Sequence, residues 1–375
     1  MKRFSGTAIL TAVVLGIAVA TYFLEYKKGV DEDQKKDQDS ILFLGFNENQ
    51  ITHIELKGSK DFLVLDNTNQ TWSLTSPLKD LADPAAIERF LNQVIHEKIH
   101  SVVAEGPQVD LKTFGLDQPA TSLLLKTTKL SRKLNFGSVK AFDASEYAQI
   151  GDERKVLSVS GTWESLLAKS AFDLRLKNLY REKKDIPWDE LEIVKNGTPV
   201  VHLKRIQGQS HDSSSGEWTL TIPKSSIRQE LNSKAVETYM QQLKDLRAIE
   251  FVFEKSAGEA AQKREEAGFK LDRPYLLVTL KDSKDQKTWS LKVSSPTEAK
   301  KPESVQKKRA AHELTSVFVS SSDCPAIARV FASMGNAFDK KPQDFIRIKP
   351  AATATPDVKS TPILNSSPNS KSVQK

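Results

Sequence analysis

His96-Glu97-Lys98-Ile99-His100 fits H-E-x-x-H, the spacing in which two helical imidazoles one turn apart bind zinc and the glutamate activates the metal's water. A zinc peptidase using His96, Glu97 and His100 is the sharpest reaction these letters suggest. The setting argues against it. Lys98 puts an ammonium where such a helix is ordinarily buried, no glycine-spaced third histidine follows, and the pattern falls in the last turn of a predicted helix. The rest of the chain offers no phosphate-cradling glycine loop, no nucleophile elbow and no Cys-x-x-Cys pair. The single cysteine, Cys324, excludes an intramolecular disulfide, and Asp323-Cys324-Pro325-Ala326-Ile327-Ala328 reads as helix-like with Cys324 as a small packed residue. No catalytic residue, metal or cofactor is expected.

The elements that would position any site occur twice. Residues 86–105 align without a gap on residues 235–254 at an offset of 149, matching Ala86 with Ala235, Phe90 with Tyr239, Leu91 with Met240, Val94 with Leu243 and Glu105 with Glu254. Apolar residues recur where a helix needs them. Upstream, the block Trp72 to Pro77 answers Trp218 to Pro223, and downstream Phe114-Gly115-Leu116-Asp117-Gln118-Pro119 answers Phe269-Lys270-Leu271-Asp272-Arg273-Pro274. In this pairing His96, Glu97 and His100 stand opposite Asp245, Leu246 and Ile249, so the twin helix end carries no ligand set. His100 is then expected to be packed and His96 exposed.

The same duplication favours plain roles for other conspicuous residues. Trp72 and Trp218 lie in strand-like segments and read as core anchors more readily than as stacking platforms. Asp117 and Asp272 read as turn residues binding backbone N–H groups ahead of Pro119 and Pro274. Lys300, Lys301, Lys307, Lys308 and Arg309 form a basic loop that an anionic polymer or envelope glycan could use, but Glu298 and Glu303 and the lack of interleaved aromatics favour a solvated insertion. No nucleic acid is expected, since 55 basic and 48 acidic residues make a mixed surface at net charge +7.

Lys2 and Arg3 precede the uncharged stretch Thr7 to Leu24, whose helical length of roughly 27 Å approaches the hydrocarbon thickness of a bilayer. It predicts one membrane span with a cytoplasmic amino terminus and the bulk of the chain exported. A signal peptide cleaved after Ala20 is the competing reading. The expected organisation is an anchor at 1–25, a polar spacer at 26–40, a first unit at 41–182, a second at 183–349 and a disordered tail at 350–375. Within each unit the patterns predict an antiparallel sheet with a covering helix, an α+β fold. The first helix starts at Asp83 as N-cap with Pro84 at its first position and runs to about His100; the second spans 233–247.

This layout of an anchor, a strand-borne Trp-x-Leu-x-x-Pro, a helix, Gly-Leu-Asp-x-Pro at 115–119 and a Tyr147-bearing hairpin resembles an uncharacterised bacterial family, domain of unknown function 4340. The resemblance runs from about Ile41 to Lys349, with Lys270 standing where the first unit has Gly115. It implies a membrane-anchored inner-membrane protein exposed to the periplasm, with the unit in tandem. Such proteins are often encoded beside ABC-transporter and auxiliary components of gliding-motility-type systems. It brings no catalytic residues. Two similar modules without a shared chemical set suit a non-enzymatic accessory or scaffold that docks a protein partner better than they suit an enzyme.

Overall fold

A computed structural model describes residues 40–182, 186–206, 217–221, 231–255, 258–295 and 316–347, together with Ile17, Val19, Thr21 and Tyr22. The predicted span at 7–24 lies outside the described residues apart from those four, and the insertion at 207–216, the basic loop at 300–309 and the tail at 350–375 lie wholly outside them. Among the described residues no helix is long and apolar enough to cross a membrane.

Two antiparallel sheets with a few helices make an α+β fold. The first part of the chain runs β1 (Ile51–Lys57), β2 (Phe62–Thr68), β3 (Thr71–Ser76), β4 (Asp80–Leu81), α1 (Pro84–Ile95), β5 (Ile99–Glu105), β6 (Thr121–Thr127), β7 (Ser131–Lys140), β8 (Glu146–Ile150), β9 (Lys155–Val159), α2 (Trp163–Leu167) and α3 (Ala171–Leu174). The second runs β10 (Glu190–Lys195), β11 (Thr198–Ile206), β12 (Glu217–Leu220), α4 (Ser233–Lys244), β13 (Glu250–Glu254), α5 (Glu259–Gly268), β14 (Leu276–Asp282), β15 (Lys287–Val293), β16 (Ser316–Ser321), β17 (Ala326–Phe331) and α6 (Ala332–Phe338). Strand order is β4-β3-β2-β1-β6-β7-β8-β9-β5 in one sheet and β12-β11-β10-β14-β15-β16-β17-β13 in the other. Remove β4 and the two orders are the same path, so the sequence repeat is a repeat of topology.

Register repeats as well. Trp72 lies opposite Asn67 and Leu74 opposite Leu65; Trp218 lies opposite Arg205 and Leu220 opposite Leu203. In the first sheet alternate residues Ile54, Leu56, Leu63, Leu65, Leu123 and Leu125 point into one core. Leu191, Ile193, Leu203, Val278, Leu280 and Leu291 do the same in the second. A two-residue side-chain period with one buried face is what fixes such registers. Tight hairpins help. Asn69 and Gln70 turn β2 into β3, and Asn196 and Gly197 turn β10 into β11, with positive φ at both positions of each turn, as a right-twisted two-residue hairpin requires.

Helix α1 begins as predicted. The Asp83 carboxylate accepts from the N–H groups of Ala85 and Ala86, and Pro84 occupies the first turn; Asn232 caps α4 by accepting from Ala235 N. Ile87, Phe90, Leu91, Val94 and Ile95 form the buried stripe, each adding roughly 1.5–3 kcal/mol of burial free energy. The end differs from expectation: α1 stops at Ile95, and His100 belongs to β5. The cause is pairing far away in sequence. Leu42 N donates to Glu97 O and Ile99 N donates to Ser40 O, which pulls the chain out of the helix. The second unit does the same, with Leu179 N on Leu246 O and Ala248 N on Lys177 O. Thus 177–179 stand to the second unit as 40–42 stand to the first, and Leu179 and Tyr180, left in the first unit by the sequence patterns, pack in the second core.

Asp323 to Ala328 is the other reversal. Residues 323–325 form a bend in which Cys324 is buried, and Ala326 to Ala328 are the first half of β17.

Gly115 and Lys270 sit in the same left-handed conformation, φ 68° and 57°. A Cβ on Gly115 would lie 2.3 Å from Ser138 Oγ and 2.7 Å from Ser138 N. Only glycine fits the first site, whereas the second holds a lysine under backbone strain. Lys270→Gly is therefore expected to raise stability by about 1 kcal/mol, read as a shift in urea midpoint; a fall would disprove the strain.

Candidate functional site at the seam

The densest set of buried charges lies where the connector after α3 passes between the two sheets. Asp80, whose side chain is 2 % exposed, accepts from Arg175 Nε through one carboxylate oxygen and from Arg181 Nη1 through the other. The two remaining Arg175 nitrogens reach the Glu254 carboxylate of β13 in a fork, and the guanidinium lies 3.8 Å from the centre of the Phe251 ring. Bidentate geometry and ring stacking are what arginine offers over lysine. Burial alone would lower the Arg175 pKa, but Glu254 and Asp80 outweigh it and hold the pKa above the ordinary value. Arg181 is pinned further, donating through Nε to Asn178 O and through Nη2 to Leu176 O.

Further contacts extend the seam. Arg247, just after α4, donates 2.7 Å to Asp83, the N-cap of α1. Phe172 meets Phe251 edge-on at 5.8 Å. Asp323 takes the Trp289 indole N–H, the Ser321 hydroxyl and the Arg181 backbone N–H. Asp83 thus serves two masters. Its burial works to raise its pKa, yet Arg247 and the two backbone donors win and hold it below the ordinary 3.8. With the folded value depressed, its contribution is complete above pH 3.8 and disappears as pH falls through the lower folded value. Asp83→Asn is expected to flatten the loss of stability between about pH 5 and pH 2; urea titrations of both proteins that ran parallel over that window would contradict this.

Two clefts flank the seam and share Leu81, Arg181 and Glu182. The larger, about 820 Å³, is walled by Thr75, Lys79, Asp80, Lys287, Asp323 and Pro325; the smaller, about 510 Å³, lies by Trp72, Asp83 and Tyr180. Their carboxylates are committed to holding the seam. Lys287 lies 3.9 Å from Glu182. Among the described residues no nucleophile is set against a base here, and the arrangement fixes one sheet against the other.

The residues singled out by H-E-x-x-H are not assembled. His96 is the C-cap of α1, exposed, with Nδ1 on Asn92 O. Glu97 accepts from Thr162 Oγ1. His100 stands on β5 and is exposed, against the expectation of a packed imidazole. One strand and one helix end cannot place two imidazoles a helical turn apart. Among the described residues no three His, Cys, Asp or Glu side chains are grouped as a metal would need. Burial pushes the Cys324 thiol up, away from nucleophilic form.

Trp218 is buried and Trp72 half-buried against its core, as anchors. The Gly-Leu-Asp-x-Pro loops turn out to be packing devices. Phe114 packs edge-on against Tyr147 at 5.0 Å and Phe269 against Phe318 at 4.7 Å, while Leu116 and Leu271 are buried. Asp117 is exposed and makes no described hydrogen bond, against the expectation that it binds backbone N–H groups; Asp110 does so instead, accepting from Lys112 N, and also takes Thr113 Oγ1.

Sequence patterns missed two matching clusters on the solvent side of the strands. His53 lies between Asp66 at 2.6 Å and Glu55 at 2.8 Å, with Lys126 3.5 Å from Glu55. His202 lies 2.8 Å from Glu190, with Lys281 3.3 Å from the same carboxylate. The alternation Thr-His-Ile-Glu in β1 was the available signal. The carboxylates address opposite nitrogens of His53, so they cannot share one ion with it, and exposed pairs of this kind add about 0–1 kcal/mol.

The profile of a family described as a domain of unknown function (DUF4340) matches residues 72–274, whereas no curated protein and no solved structure matches the chain. The match opens on Trp72 and closes on Pro274, taking in both Trp blocks, both Leu-Asp-x-Pro loops and the seam between them. It covers more than half of the 375 residues, and the chain accordingly belongs to the DUF4340 family.

Proposed function

We propose that the protein is a non-enzymatic accessory or scaffold of the bacterial envelope, anchored in the inner membrane by residues 7–24 with its paired units in the periplasm, and that it docks a protein partner in an ABC-type export or motility complex. The observation that carries the reading is the seam. Two units of one topology are locked together by buried ion pairs. Such an architecture presents a fixed, extended surface, which suits recognition more than turnover. Lys2 and Arg3 ahead of an uncharged run long enough to span support the anchor and its orientation.

Crosslinking in intact membranes, followed by affinity capture of the full chain, tests the reading. Recovery of transporter or motility subunits is the expected result. Recovery of lipid without protein would end it.

A further inference from the structure

We propose that the two clefts flanking the seam form one groove, and that its occupant is an extended segment of a partner polypeptide that lays an apolar ring against Trp72 and a carboxylate between Lys79 and Lys287. This deepens the docking reading above and rests on it. The clefts share Leu81, Arg181 and Glu182, so each runs on from the other across the joint between the sheets. Both have the size of a ligand pocket, and a junction between structural units is where such pockets concentrate.

What the groove can recognise follows from what the seam has already used. Asp80 spends both oxygens on Arg175 and Arg181, and Asp323 is occupied by Trp289, Ser321 and the Arg181 N–H. Arg181 has every side-chain nitrogen bonded. The charges left to meet a ligand are mainly cationic. Lys79, just ahead of β4, is exposed and makes no described hydrogen bond or ion pair. Lys287, at the start of β15, has a side chain 45 % exposed and meets Glu182 only at 3.9 Å. One acid between two cations leaves a positive charge unmatched, and a rim charge of that kind selects and steers an opposite one. Between the lysines the wall is largely carbon, from Leu74, Leu81 and Pro325, so it also covers apolar surface on the ligand.

The repeat supplies the control for the ring. Trp218 holds the place of Trp72 and is 2 % exposed, with the guanidinium of Arg205, its cross-strand neighbour, 5.0 Å from its ring. The cross-strand neighbour of Trp72 is Asn67, which brings no cation over the indole. Trp72 is half-buried, makes no described side-chain hydrogen bond, and lines the smaller cleft with Pro84 and Tyr180. Such an indole can take an apolar ring against its own and a backbone carbonyl at its N–H, as aromatic-lined peptide grooves do. A phosphate or lipid headgroup would satisfy the lysines and leave Trp72 unused. The chain's own acids at Asp31, Glu32 and Asp33 lie ahead of Ser40, which bonds to Ile99 on β5, and β5 and β4 are opposite edges of the nine-stranded sheet. A separate polypeptide fits both ends of the groove.

Selection of a random-peptide phage library on the full chain in detergent tests the groove. Enriched peptides should join an aromatic or prolyl residue to an aspartate or glutamate a few residues away. Synthetic copies should bind the double variant Lys79→Glu, Lys287→Glu at least about fivefold more weakly, and the same selection on that variant should enrich lysine or arginine in place of the acid. Both lysines are exposed, so the double variant should keep the parent's urea midpoint. Trp72→Phe should weaken binding without changing the charge that is selected. No enrichment, or enrichment that ignores the charge reversal, overturns the proposal. In membranes, a photocrosslinker at Thr75, an exposed residue of the larger cleft, should capture a second protein through a segment of the selected kind. Transporter or motility subunits recovered by general crosslinking but not from Thr75 overturn the groove while leaving the docking function standing, and recovery by neither route overturns both. An adduct at Thr75 to lipid, to another copy or to the chain's own residues 25–39 overturns the choice of occupant.

Discussion

Asp80→Ala is expected to destabilise the chain by about 3–5 kcal/mol, because it strips the shared counter-charge from two guanidiniums that are themselves almost fully buried. Arg175 keeps Glu254, but Arg181 keeps only carbonyl partners, Asn178 O and Leu176 O. A buried cation whose neutralising acid is removed costs far more than the pair contributed when intact. Since a whole domain is stable by about 5–15 kcal/mol, such a loss is a large fraction of the total. Asp80→Asn should fall between, retaining shape and one acceptor while losing charge. The location adds a second signature. β4 is a two-residue strand holding Asp80 against both connector arginines, so its loss should loosen the joint and split urea unfolding into two steps. Unfolding within about 1 kcal/mol of the parent, in one step, would show that the seam is not the joint.

How much of this could be read beforehand depends on whether the cause was local. The duplication, the Trp-bearing strands and the starts of α1 and α4 were legible, because a two- or 3.6-residue period and an N-cap are properties of a few adjacent residues. The end of α1 was not. It is decided by Ser40 and Leu42, more than fifty residues away in the chain, which bond to Ile99 and Glu97. Ala326 to Ala328 hid a strand because all three are buried, leaving no alternation to read. Helix α5 hid for the opposite reason: Glu266 is its one buried residue, and its ion pair with Lys292 gives no apolar stripe. The seam was the least legible part. Arg175 and Arg181 look like solvated charges in a connector until Asp80, about a hundred residues earlier, is brought beside them.

Trp289→Ala should cost about 3–5 kcal/mol, and its consequences should reach past the second core to the seam. Trp289 is among the largest side chains that are fully buried, and its ring meets Tyr180 of the connector at 5.4 Å. Its indole N–H donates 2.7 Å to Asp323, whose other oxygen takes the Arg181 backbone N–H. One side chain therefore supports packing, the connector and the position of Arg181 together. Its first-unit counterpart by register is Arg132, opposite Leu125 as Trp289 is opposite Leu280. There the guanidinium reaches Leu42 O, the residue that matches Leu179. Both units thus tie this strand position to their incoming segment, once with a cation and once with an indole. Trp289→Phe separates the contributions: it keeps most of the ring and removes the donor, so about 1–3 kcal/mol of the loss should remain. A double-mutant cycle of Trp289→Phe with Asp80→Asn should be non-additive by more than 0.5 kcal/mol, since Asp323 and Asp80 hold the same arginine. Additivity within the error of the urea midpoints would mean that core and seam are independent, and that Arg181 is held in place by its carbonyl partners alone.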